Sequence, residues 1–134
     1  MENNLKKILL TFLLLSSALL ADVKNEYLSQ ALIDSKIPIV DIRTPSEWRE
    51  TGIVKNSIPI MFFNERGGYN VDLFLTELNA KVDTKKPFAL ICRTGSRTSM
   101  ISSFLSKELG YNVVNIKGGI VLAKPKNIKL VPSK

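Results

Sequence analysis

Pro87-Phe88-Ala89-Leu90-Ile91-Cys92-Arg93-Thr94-Gly95-Ser96-Arg97-Thr98 decides how this chain is read. An apolar, β-prone run ends on a thiol, a short Arg/Thr/Gly/Ser turn follows, and an amphipathic pattern then begins. That order sets a sulfur at the carboxyl end of a buried strand and at the start of a helix. Unpaired backbone N–H groups there stabilise an anion. Gly95 frees the turn to adopt a left-handed or strained conformation, and the amides of Arg93 to Thr98 are expected to face the sulfur. A thiol so placed is expected to act as a reactive nucleophile. The alternative is an inert core cysteine closing a strand. Arg93, Gly95 and Arg97 argue against that, because a buried strand end needs neither two guanidiniums nor a glycine.

Working outward, strands alternate with helices. Pro38 to Ile42 is a continuous apolar run, the mark of a strand covered on both faces. Thr44-Pro45-Ser46-Glu47 supplies an N-cap, a proline at the first helical position and a glutamate closing a capping box. Trp48 rides on that helix and Gly52 ends it. Ser57 to Phe63 reads as a short strand, and Asn64 to Asn70, with Gly67-Gly68, as a mobile loop. Val71, Phe74, Leu75 and Leu78 recur at helical spacing. Met100, Ile101, Phe104, Leu105 and Leu109 are expected to form the buried stripe of the helix after the thiol, which Gly110 stops. Asn112 to Ile116 is the next strand, and Lys117-Gly118-Gly119-Ile120 a backbone turn with no Lys-Ser/Thr pair to make it a phosphate loop. Near the start, Asn25 is expected to cap a helix running to Ser35. The whole predicts an α/β fold: a mostly parallel sheet of about five strands with helices on both faces.

Residues 1–21 stand apart. Lys6 and Lys7 precede an apolar stretch from Ile8 to Leu20, and the small residues Ser16, Ala18 and Ala21 follow the pattern of a cleaved export signal. Thirteen helical residues rise roughly 20 Å, short of the hydrocarbon core, so no stable membrane span is expected once the signal is removed. Cleavage after Ala18 or Ala21, or retention as an anchor, are the alternatives. A periplasmic address follows, with a domain over 22–124 and a weakly structured tail over 125–134. The net charge of +7 falls by a single unit on removal of the signal. Its lysines are scattered, with no aromatic-basic stripe, so the excess points to anion attraction and not to nucleic acid. With a single cysteine and no histidine, neither an internal disulfide nor a zinc or haem site is expected, and no cofactor is called for.

Four landmarks in order, Asp41-Ile42-Arg43-Thr44-Pro45-Ser46-Glu47-Trp48, Gly52-Ile53 to Ser57-Ile58-Pro59-Ile60, Cys92 to Arg97, and Val114-Asn115-Ile116-Lys117-Gly118-Gly119-Ile120, resemble single-domain rhodaneses of the exported type. The resemblance covers about residues 37–120 and implies sulfurtransferase chemistry. Cys92 would take the outer sulfur of an anionic donor such as thiosulfate or polysulfide and hold it as a persulfide. A thiol or cyanide would then remove it, by ping-pong kinetics. Loop residues Arg93, Thr94, Gly95, Ser96, Arg97 and Thr98 would cradle the sulfur, with Arg93 or Arg97 on the donor's anionic part. Asp41 and Arg43 match positions that brace the loop; the plainer alternative is a structural ion pair, Arg43 with Glu47. Trp48 is expected in the core, and Met61, Phe62 and Phe63 at the pocket rim or in the core. Family members often carry His where Thr51-Gly52-Ile53 stand and an aromatic residue where Val121 and Leu122 stand, so pocket shape differs here.

Other chemistries divide on loop length and thiol count. A phosphatase of the same fold uses a loop one residue longer to admit tetrahedral phosphate, whereas four residues separate Cys92 from Arg97. A non-catalytic persulfide carrier would keep Cys92 but not turn over small donors. Disulfide exchange lacks a resolving cysteine. A monomer is the default.

Overall fold

The computed structural model describes residues 23–134, so the expected export signal lies outside the described residues. Five strands run parallel in the order β1-β5-β4-β2-β3: β1 (Lys24–Tyr27), β2 (Ile39–Asp41), β3 (Ile58–Pro59), β4 (Phe88–Ile91) and β5 (Val113–Lys117). Helices α1 (Gln30–Asp34), α2 (Pro45–Thr51), α3 (Val71–Lys81) and α4 (Ser96–Leu109) make the connections, and a 3-10 turn lies at Ile120–Leu122. Among the described residues, no helix is long and apolar enough to cross a membrane.

The central strand explains the apolar run that announced it. All four residues of β4 are buried because they alternate between two cores. Phe88, Leu90 and Cys92 face α3 and α4 beside Phe74, Leu78, Ile101 and Leu105. Ala89 and Ile91 face the opposite cluster, with Leu28, Leu32, Ile116, Ile120, Ala123 and Ile128. Cys92 thus continues the side-chain row of Leu90 at the carboxyl edge of the sheet.

The expected caps form. Thr44 and Glu47 make the reciprocal capping box of α2, Gly52 ends that helix and Gly110 stops α4 in the left-handed region; Asn70, read only as the end of a loop, also caps α3. Four expectations need correction. Asn25 does not cap a helix; it lies in edge strand β1 opposite Asn115, and its Oδ1 accepts the Asn115 amide at 2.8 Å. The helix begins after Ser29, whose Oγ accepts the Leu32 amide. An edge strand with three exposed residues carries no apolar period to betray it. On α4, Met100 and Leu109 are exposed, and the buried face is Thr98, Ile101, Ser102, Leu105 and Ser106. Small hydroxyl residues let the helix lie close on the sheet, which rotates the stripe. The Asn64–Asn70 segment is a tight turn: Asn64 Oδ1 accepts the amides of Arg66 and Gly68, and Phe63 bridges Tyr69. Finally, the C-terminal segment is tied down. Ile53 and Val131 exchange two backbone hydrogen bonds of 2.8 Å, and Ile128 is buried.

Candidate active site

Cys92 stands where β4 ends and the four-residue turn to α4 begins. Its Sγ accepts the Gly95 amide at 3.2 Å and lies 3.6 Å from the Thr98 hydroxyl. That hydroxyl donates to the Gly95 carbonyl at 3.2 Å, pinning the turn onto the first turn of the helix. Of the six amides expected to face the sulfur, Gly95 alone makes a hydrogen bond to it among the described residues. The fourteen residues of α4 add the positive end of their dipole at the thiol. Cys92 has no exposed surface. Around it Arg93, Thr94 and Ser96 are exposed, Arg97 is half-buried, and Gly95 and Thr98 are buried.

Two glycines permit this geometry. Gly95 sits at φ +98°, and a Cβ there would come 2.8 Å from the Gly118 amide nitrogen. Gly119, at φ +67°, presses on the other side, where a Cβ would overlap the Arg93 carbonyl. The Gly118-Gly119 turn is therefore a backbone buttress. Beyond it, the Ile120 amide donates to the Cys92 carbonyl at 2.9 Å and the Val121 amide to the Arg93 carbonyl at 3.2 Å.

The two arginines of the loop have separate fates. Arg97 makes a bidentate pair with Glu47 at 2.7 and 2.8 Å, joining residues 50 apart in sequence. Those hydrogen bonds lower the Glu47 pKa to about 2. Glu47 in turn raises that of Arg97, with smaller attractions from Cys92 and Asp41. Glu47 Oε2 also accepts the Thr44 amide at 3.0 Å, so one carboxylate both caps α2 and anchors the cysteine loop. Arg93, by contrast, makes no ion pair and no side-chain hydrogen bond among the described residues.

Arg43 does not pair with Glu47. It pairs with Asp41 at 2.8 Å, both side chains fully buried, and donates to Thr51 Oγ1 at 2.8 Å and the Gly52 carbonyl at 2.9 Å. This pair braces the end of α2, and through α2 the Glu47–Arg97 link, and does not touch the cysteine loop directly. Phe62 is buried, Phe63 half-buried and Met61 exposed, and Phe62 stacks among Phe63, Tyr69 and Phe74. Trp48 is half-buried. Glu47 as the partner of Arg97 escaped the sequence reading, where it figured as a cap and as the alternative partner of Arg43. Its capping box was the only local signal, and nothing local points from there to residue 97.

Comparison with known proteins agrees with this architecture. Residues 24–124 match the family described as rhodanese-like domain. An uncharacterized protein of Rickettsia prowazekii is 33% identical over 92 residues, covering 66% of this chain and 72% of that one. A protein of Allochromatium vinosum named a sulfurtransferase is 26% identical over 101 residues, 75% of this chain and 84% of its own. The crystal structure of a Mycobacterium tuberculosis protein superposes with a TM-score of 0.59 at 19% identity, covering 73% of this chain and 80% of that one, a likeness of fold. The chain belongs to the rhodanese-like domain family.

Proposed function

We propose that this rhodanese-like domain transfers sulfane sulfur through a persulfide on Cys92. The observation that carries the reading is the thiol at the carboxyl end of β4, bonded by the Gly95 amide at the head of α4. The Cys92 thiolate attacks the outer sulfur of thiosulfate, the S–S bond breaks, and sulfite leaves with the bonding pair. An acceptor such as cyanide or a thiolate then attacks the outer sulfur, and Cys92 departs as the thiolate that began the cycle. The Gly95 N–H and the helix dipole stabilise negative charge at both stages. Because Arg97 is committed to Glu47, Arg93 is the residue assigned to the donor's anionic end. The sulfur is covered, so the donor enters past the exposed Arg93, Thr94 and Ser96.

Thiosulfate-to-cyanide transfer by the mature domain and by Cys92→Ser tests this. Turnover in the first and none in the second, with an unchanged far-UV circular dichroism spectrum, is expected; equal turnover would end the covalent reading. Residues 1–21 are assigned to export. Protein recovered from the periplasm should start at Asp22 or Leu19, and a cytoplasmic chain retaining Met1 would contradict the assignment.

A further inference from the structure

The two edges of the sheet are finished differently. Edge strand β3 is two residues long and carries Pro59, which has no N–H to offer a neighbour. Edge strand β1 holds neither proline nor glycine, and it runs in unbroken register against β5, from Lys24 opposite Val114 to Tyr27 opposite Lys117. Among the described residues its backbone pairs with β5 alone. The outward N–H and C=O groups of β1 therefore lack a protein partner, the condition that invites another strand.

The side chains of β1 say which strand fits. Exposed Lys24 and half-buried Glu26 share one face of the sheet and pair with each other at 2.6 Å. Asn25 and Tyr27 share the other face; Val23 and Asn25 line one groove beside α4, and Tyr27 is 54% exposed. A guard against other strands carries one sign of charge, whereas β1 carries both signs two residues apart. Antiparallel pairing with the β1 of a second copy aligns the two faces when it is centred on a residue. Centred on Asn25, it sets each Lys24 opposite Glu26 of the other copy and each Tyr27 opposite Val23. The two Asn25 side chains then meet on the axis; Oδ1 already accepts the Asn115 amide, and Nδ2 has no partner among the described residues. Centred on Lys24 or on Glu26, the pairing sets like charges face to face. Opposed residues lie about 5 Å apart, close enough for unlike charges to attract and like charges to repel.

We propose that β1 is a self-complementary docking edge whose occupant is a second copy of this chain. Two copies join β1 to β1, antiparallel across a two-fold axis at Asn25, and double the five-stranded sheet. The carboxyl edges of the two halves point in opposite directions, so the two cysteine loops lie at opposite ends of the joined sheet. The paired strip is short, which sets a Kd on the order of 100 µM.

Sedimentation equilibrium of the mature domain from about 10 µM to about 1 mM tests this. A monomer–dimer equilibrium is expected. Lys24→Glu sets a glutamate against Glu26 at both ends of the strip and should weaken the dimer at least about tenfold. Lys24→Glu/Glu26→Lys restores unlike pairs in reversed order and should return the Kd to within about threefold of the parent. A second arm uses the parent chain alone, so it decides even where a variant fails to fold. On dilution from about 1 mM, the amide resonances of Lys24 to Tyr27 should shift while those of α3 stay still. A parent that is monomeric throughout, a Lys24→Glu variant that dimerises like the parent, a double variant as weak as the single one, or shifts that miss β1 would each overturn the proposal.

Discussion

Replacing Glu47 by Gln removes one charge and keeps the shape, and its effect on stability should depend on pH in a defined direction. In the folded protein the Glu47 pKa is lowered from 4.5 to about 2, chiefly by its hydrogen bonds to Arg97. A carboxylate with a depressed folded pKa stabilises the native state above its unfolded pKa. That contribution fades as pH falls through the folded value. The full shift would correspond to about 3 kcal/mol. Both side chains retain about a fifth of their surface in solvent, and screening reduces the expected contribution to ~1–2 kcal/mol. Glu47→Gln should therefore be less stable than the parent by ~1–2 kcal/mol at pH 7, and the gap should close between about pH 4.5 and pH 2. Urea denaturation at pH 7, 4.5, 3 and 2 measures it. The two proteins losing stability in parallel across that window would refute the assignment of the charge to Glu47. The pair also anchors the cysteine loop, so turnover should fall with stability at pH 7.

Further predictions follow from the same geometry. Gly119→Ala forces a Cβ against the Arg93 carbonyl at φ +67°, and should cost ~2–4 kcal/mol and depress turnover by displacing the loop; denaturation beside a thiosulfate assay measures both, and a neutral effect would contradict the buttress. Arg43→Ala leaves Asp41 buried without its partner, and should cost ~3–5 kcal/mol, seen as a large fall in melting temperature. Ile128→Ala opens a void in the second core, and should cost ~2–4 kcal/mol by urea denaturation; a change under half a kilocalorie would mean the C-terminal segment is not packed as described.

What the sequence reveals depends on how local the determinant is. The segment from β4 to α4 is readable because an uninterrupted apolar run, a glycine turn and an amphipathic helix each carry their own signal. The same holds for α2, whose cap, proline and glutamate lie within four residues. Strand β1 is hidden because its stability comes from pairing with β5 at the far end of the chain, not from its own composition. The α4 stripe misleads because hydroxyl residues, and not the larger Met100 and Leu109, face the sheet. The division of labour between Arg93 and Arg97 is invisible in sequence, since Glu47 decides it from 50 residues away. The place of the C-terminal segment escapes for the same reason: Val131 finds its partner at Ile53, a contact that only the folded chain creates.

The most direct measurement is the mass of the Cys92 peptide after the domain meets thiosulfate and excess reagent is removed. A gain of one sulfur atom on that peptide, discharged by cyanide with stoichiometric thiocyanate, is the predicted result. Thiocyanate formed while Cys92 never gains mass would contradict the persulfide mechanism.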